Sequence, residues 1–240
     1  MASSSTHDEF GHGAGGHAEN GHGAAERSSG GYGTSERGVG RLGANELGED
    51  RDLDTRLTRL WGIKKPIVGA PMAGRSDGHL AAAVSRAGGL GMFGAGAGSS
   101  AEWIKDNAEI AREGGAFGIG LMIWALEDKP EQFDAVLEAK PTVVSLGFGD
   151  PAPYVDRAHA AGISVVAPVN NLTQLKAALA AEVDVICVQG TDAGGHTGYI
   201  GTMPLMQLVL GHLQVHAPGI PVCVAGGIGS GLSLIHISEP

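Results

Sequence analysis

Positive charge, cysteine, aromatic residues and long apolar runs are all scarce in this sequence, and each shortage excludes something. Among 240 residues, 16 are Lys or Arg against 26 Asp or Glu, a formal net charge of −10. A surface of that sign repels phosphate backbones and anionic lipid, so neither nucleic acid nor membrane is expected as a partner. The two cysteines, Cys187 and Cys223, sit in apolar segments without CxxC spacing. That rules out a disulfide framework and points to a reducing, cytoplasmic compartment. No run reaches the roughly 18 apolar residues of a membrane span, and the N-terminus has no apolar signal core. No P-loop, Ser-His-Asp elbow or zinc spacing occurs, so no metal site is expected. What the chain has in excess is glycine, at 41 residues.

Glycine, serine and charge dominate residues 1–55, and large apolar residues are few there. Such a segment buries too little surface to offset its ordering entropy, and the sequence predicts a disordered leader. His7, His12, His17 and His22 recur every five residues. A metal-binding tract and low-complexity drift both give that pattern, and drift is the simpler reading.

The pattern changes near Leu57. RLTRLWG is a short amphipathic lead-in. Seven apolar segments then follow: IVGAPM, LGMFGAG, AFGIGLMIW, PTVVSLGFG, ISVVAPV, VDVICVQG and IPVCVAGGI. After the first six come stretches that read as helices; the one beginning SAEWIKDNAEIAREGG has Ser99 or Ser100 as its N-cap. The strands are continuously apolar, as parallel strands buried on both faces are. Strand–helix alternation of this kind predicts an α/β fold, a (β/α)8 TIM barrel rather than a doubly wound sheet, since the first turn, GAPMAGRSDG, carries no GxGxxG fingerprint. The barrel domain is expected over 56–231, incomplete, with about seven βα units. Residues 232–240, LSLIHISEP, do not continue the GGIGSG turn as a helix. They read as the translation of a transposon sequencing adapter, so a non-native tail on a truncated chain is expected; the alternative is an unusual native C-terminus.

Barrel enzymes keep their sites at the C-terminal ends of the strands. Here those ends are small and glycine-rich: Ala70-Pro71-Met72, then Gly118 and Gly120, then Ser145 to Gly149, then Gln189 to His196, then Ala225-Gly226-Gly227. Glycine lets backbone approach a flat or phosphorylated ligand and frees N–H groups for anions. Several such ends converging on one rim point to a large cofactor. His196 is the histidine at a clear strand end; histidine exchanges protons near neutrality, although a loop histidine bonded to backbone fits the spacing too. Gln189 offers an amide to a heterocycle edge or completes a polar strand end. Asp192 caps a turn or accepts from a ligand. Cys187 and Cys223 read as core. With so few reactive side chains, the hard chemistry falls to a cofactor.

PIVGAPMAG, LAAAVSRAGGLGMFGAG, VVSLGFGDP, VQGTDAGGHTG and PVCVAGGI, in that order over about 60–231, resemble the nitronate monooxygenase family, formerly the 2-nitropropane dioxygenases; LMIWALED resembles fungal members. The resemblance implies a TIM barrel carrying FMN, with a small nitronate and O2 as reactants and the oligomeric state open. It implies flavin contacts from Ala70, Pro71, Met72, Gly120, Gln189, Gly194 and Gly195, a phosphate cradle from Ala225, Gly226 and Gly227, and His196 as catalytic base. Departures are Gly120, where many members have Asn, and Asp192 in place of the usual Glu. Related flavin enzymes, barrel-type enoyl-acyl-carrier-protein reductases and NAD(P)H:quinone reductases, are the alternatives, with an inactive truncated fragment as the non-enzyme reading.

Overall fold

The computed structural model describes residues 53–229. Apart from Leu53 to Thr55, the leader expected over 1–55 lies outside the described residues, its four histidines included, and so does the tail expected over 232–240.

Six strands follow one another through the described chain: β1 (Gly91–Ala95), β2 (Phe117–Met122), β3 (Val143–Gly147), β4 (Ser164–Val169), β5 (Val185–Gln189) and β6 (Val222–Ala225). Their order in the sheet is the order in the chain, and every neighbouring pair is parallel. Helices occupy the crossovers: α2 (Gly78–Arg86), α3 (Ala101–Arg112), α4 (Ile123–Leu126) and α5 (Glu131–Ala139), α6 (Ala152–Ala160), α7 (Leu172–Ala180) and α8 (Thr202–His216), with α1 (Arg56–Trp61) ahead of them. A parallel sheet that keeps sequential order and curls through such crossovers is a partial TIM barrel. Side-chain caps start several helices where the sequence puts a polar residue before an apolar run. Asp77 accepts from Leu80 N–H at 3.0 Å, Ser100 from Trp103 N–H at 3.1 Å and Asn171 from Gln174 N–H at 3.0 Å.

Two cores lie on opposite faces of the sheet. Alternate strand residues, among them Phe93, Ile119, Val144, Leu146, Val165, Ile186 and Val188, pack outward under the helices. The intervening ones face the inside of the curl, where Met92, Val143, Val166 and Val185 meet Leu57 and Trp61 of α1 and the following Ile63. The lead-in helix is therefore packed among inward-facing strand residues, with the Trp61 indole N–H 3.2 Å from the Ser164 hydroxyl.

The inner layer of the first strands is unusually small. Gly94 stands beside Gly120, and Gly120 beside Ser145. A Cβ on Gly118 would lie 2.7 Å from the Met92 methyl, and one on Gly120 only 2.4 Å from Pro71 Cβ. Met92 and the Pro71 ring supply the volume these glycines leave empty, at the density interiors require.

Two expectations need correction. The first apolar segment, 67–72, is not a full strand. It joins β1 by isolated parallel bridges, Val68 to Leu90 and Ala73 to Gly94, with Leu90 N–H donating to Ile67 O and Gly69 N–H to Leu90 O. Pro66 and Pro71 carry no N–H, which breaks the ladder around those bonds. The third segment stops at Met122, because Ile123 and Leu126 turn into α4 and bury themselves in the outer core.

Candidate functional site

The C-terminal ends of the strands carry the residues that the sequence singles out. At the first end, Ala70, Pro71 and Met72 run over β1 and β2. Buried Ser76 fixes them: its hydroxyl accepts from Met72 N–H at 2.8 Å and from Gly94 N–H at 3.2 Å. A Cβ on Gly94 would lie 2.6 Å from both Ala73 N and Pro71 O, so backbone lies on backbone at that contact. Met72 is 46% exposed on the rim. Gly120 is buried beneath Pro71 rather than open to the rim.

At the fourth segment's end Phe148 has φ 65°, a left-handed backbone that a bulky residue rarely adopts. Its ring centroid is 5.1 Å from that of His196, with the planes tilted by 48°. His196 itself is exposed, near the tip of the loop after β5.

That loop is held at its base. Thr191 N–H donates to Ile200 O, Ala193 N–H to Gly190 O, and Gly190 N–H to Ala225 O of β6. The Gln189 amide N–H reaches Gly194 O at 3.3 Å. Buried Asn170, at the end of β4, donates to Gln189 backbone O at 2.9 Å and to its side-chain O at 3.4 Å. Gln189 is thus oriented from both ends of its amide.

Asp192 ties the loop to α8. Its carboxylate accepts from Thr202 N–H at 2.9 Å, at a helix start with no side-chain cap of its own. The Thr202 backbone hydrogen bond, above all, holds this carboxyl below its ordinary range. Its carbonyl accepts from Gly227 N–H at 3.2 Å. Gly226 and Gly227 follow Ala225 with φ 129° and 74°, conformations that favour glycine. A Cβ on Gly226 would collide with the Thr202 hydroxyl at 2.2 Å, whereas Gly194 and Gly195 have open space where a side chain would stand.

The structure therefore brings Gln189, Gly194, Gly195 and His196 together at the end of β5, tied to Ala225, Gly226 and Gly227 after β6, while Ala70, Pro71 and Met72 lie over β1 and β2. Residues missed by the sequence reading are Asn170, Ser76 and the contact of Phe148 with His196. Asn170 was findable as the amide closing an otherwise apolar strand; Ser76 and Phe148 act through folded contacts that no spacing reveals. Among the described residues no cluster of three or more His, Cys, Asp or Glu is placed to hold a metal ion, and no helix is long and apolar enough to cross a membrane.

The bare backbone of Gly194, Gly195 and Gly227, with an oriented amide beside it, fits a flat, phosphorylated cofactor such as a flavin nucleotide. Comparison with known proteins identifies the family. The family model described as nitronate monooxygenase matches residues 54–135 and 118–234. A nitronate monooxygenase of Pseudomonas aeruginosa is 34% identical over 221 residues, 73% of this chain and 62% of the relative. One of Paraburkholderia phytofirmans is 32% identical over 226 residues, 74% and 60% respectively. The chain thus spans about 60% of the length of these curated relatives. Among solved structures, FabK of Thermotoga maritima superposes with a TM-score of 0.67 at 30% identity, covering 76% of this chain and 57% of that one. A nitroalkane oxidase of Streptomyces ansochromogenes superposes with a TM-score of 0.63 at 28% identity, covering 75% and 64%. With the strand-end motifs lying in one rim and the family model matching most of the described residues, the chain belongs to the nitronate monooxygenase family.

Proposed function

We propose that this rim binds FMN and that the protein oxidises alkyl nitronates, and neutral nitroalkanes after proton abstraction by His196. The observation that carries the reading is the placement of His196 against Phe148 on a loop whose Gln189, Gly194 and Gly195 adjoin the glycine turn at Gly226. Ala70, Pro71, Met72, Gln189, Gly194 and Gly195 would hold the flavin ring, and Ala225, Gly226 and Gly227 the phosphate. Gly120 would act from below, by seating the Pro71 ring. When bound, FMN supplies the redox chemistry that, with O2, turns a nitronate into a carbonyl compound and nitrite.

The chain's own contributions follow from the geometry. Asn170 fixes the Gln189 amide, so its orientation costs nothing at binding. Phe148 covers one side of the imidazole and leaves its nitrogens free, since no hydrogen bond from another side chain claims them among the described contacts. A free ring nitrogen accepts the α-proton of a nitroalkane, which generates the nitronate in place.

The test is His196→Asn, assayed for oxygen uptake with a nitroalkane and with its preformed nitronate, alongside FMN uptake. Nitroalkane turnover falls by about a hundredfold or more while FMN still binds. Unchanged nitroalkane turnover removes the base from His196, and a protein that takes up no FMN removes the flavin reading. Oxidation of NADH or NADPH with an enoyl thioester or a quinone, in place of nitronate turnover, would favour the related reductases.

A further inference from the structure

The inside of the barrel holds a pair of groups for which the proposed function has no use. Cys187 on β5 and Cys223 on β6 are Cα partners in the parallel register. They are the chain's two cysteines, and both are unbridged and partly exposed. Both pack against the inward-facing cluster that contains Val166 and Val185. The inward neighbour of Cys187 on β4 is Pro168, so the walls offer little that competes for the sulfurs. The register sets the two side chains next to each other on one face of adjacent parallel strands. Hydrogen bonding between the thiols pulls the Cys187 thiol down against the opposing effect of burial, and the same interaction together with burial pushes the Cys223 thiol well above its ordinary value. Two residues further along the same strands stand Gln189 and Ala225, themselves Cα partners. Side chains two apart on a strand share a face, so the sulfurs lie one layer beneath the rim.

We propose that Cys187 and Cys223 form a vicinal dithiol that chelates a soft, thiophilic centre, trivalent arsenic in an organoarsenical being the simplest case. Soft thiolates select such centres. The fold has already brought the two sulfurs together, so binding pays little ordering entropy. The step is balanced without an oxidant. An organoarsenic(III) oxide loses its oxygen as water, taking the protons of both thiols, while two As–S bonds replace the As–O bonds; arsenic and sulfur keep their oxidation states. The bridge would staple β5 to β6. It depends on the strand register and not on the flavin reading.

Phenylarsine oxide is the probe, with intact mass read under native conditions. One arsenical per chain is expected, stable to excess monothiol and released by a dithiol. Cys187→Ser and Cys223→Ser each leave a single thiol, and retention falls by about a hundredfold or more as the second attachment is lost. In urea the partners stand 223 − 187 = 36 residues apart in the chain, and retention falls likewise. X-ray absorption at the arsenic edge needs no variant and should count two sulfur ligands. Retention in either serine variant equal to that of the native chain overturns the proposal, as does a single sulfur ligand or no native adduct.

Discussion

The Phe148 ring meets the His196 imidazole at 5.1 Å from a backbone held at φ 65°. A bulky residue pays for that conformation, and such strain is kept where the surrounding structure imposes it, commonly at functional sites. The contact joins two strand ends, β3 and β5, that are not neighbours in the sheet. Removing the ring and removing the strain are separable. Phe148→Ala deletes the ring and keeps a Cβ in the left-handed region; Phe148→Gly deletes both. The glycine variant should be the more stable of the two by about 1 kcal/mol, read by urea unfolding. Both should lower nitroalkane turnover alike, because both release the imidazole. An alanine variant as stable as the glycine variant would show that the backbone at 148 is unstrained.

Gly120 and Pro71 offer a second test. A Cβ at 120 would come within 2.4 Å of Pro71 Cβ and 2.6 Å of its Cγ, and the site is buried on every side. Gly120→Ala should therefore destabilise the fold by about 1–3 kcal/mol. Pro71→Ala frees the space, so the double variant should recover part of the loss. Additive losses in that cycle would show that the collision is relieved elsewhere.

The glycines on the rim divide by what surrounds them. Gly226, at φ 129° with the Thr202 hydroxyl 2.2 Å from a Cβ position, has no room; Gly226→Ala should cost stability and FMN uptake together. Gly194 faces open space and has no left-handed backbone. Gly194→Ala should leave the melting temperature unchanged within a degree or two, since surface substitutions stay within about 0.5 kcal/mol, and should weaken FMN uptake alone. Thermal melting and FMN titration of the pair check this. Undiminished uptake in Gly194→Ala would move the cofactor away from that backbone.

Most of the architecture was legible because it rests on local pattern. Continuous apolar segments separated by capped helical stretches specify buried parallel strands, and β1 to β6 lie within the second to seventh of those segments. The first segment misled because an apolar run specifies neither pairing nor burial: no residue of 67–72 is fully buried. Ile67 to Met72 looks like a strand, yet Pro66 and Pro71 remove the donors a ladder needs. At the rim, composition showed where backbone is bare but not what lies over it. Gly120 and Gly194 look alike in sequence, and only folding puts Pro71 against the one and open space against the other. Asn170 is marked locally as the amide that closes an apolar strand, but Ser76 and Phe148 act through partners 18 and 48 positions away, separations no local pattern encodes.

Asp192 gives a pH dependence with a definite sign. Its carboxylate accepts from Thr202 N–H at the start of α8, and this bond, first among its causes, holds the native pKa below the ordinary value. A carboxyl depressed by folding adds stability above its unfolded pKa of about 3.9, and that contribution is lost as pH falls from there through the lowered native value. Asp192→Asn keeps an oxygen for the Thr202 bond and removes only the charge at the positive end of the helix. The native protein should melt higher than the variant at pH 7, and the gap should close as the pH is taken from about 5 toward 3. A constant gap over that range would mean that Asp192 acts through shape alone. Because the same residue accepts from Gly227 N–H through its carbonyl, FMN uptake measured at the same pH values tells whether the charge also steadies the glycine turn.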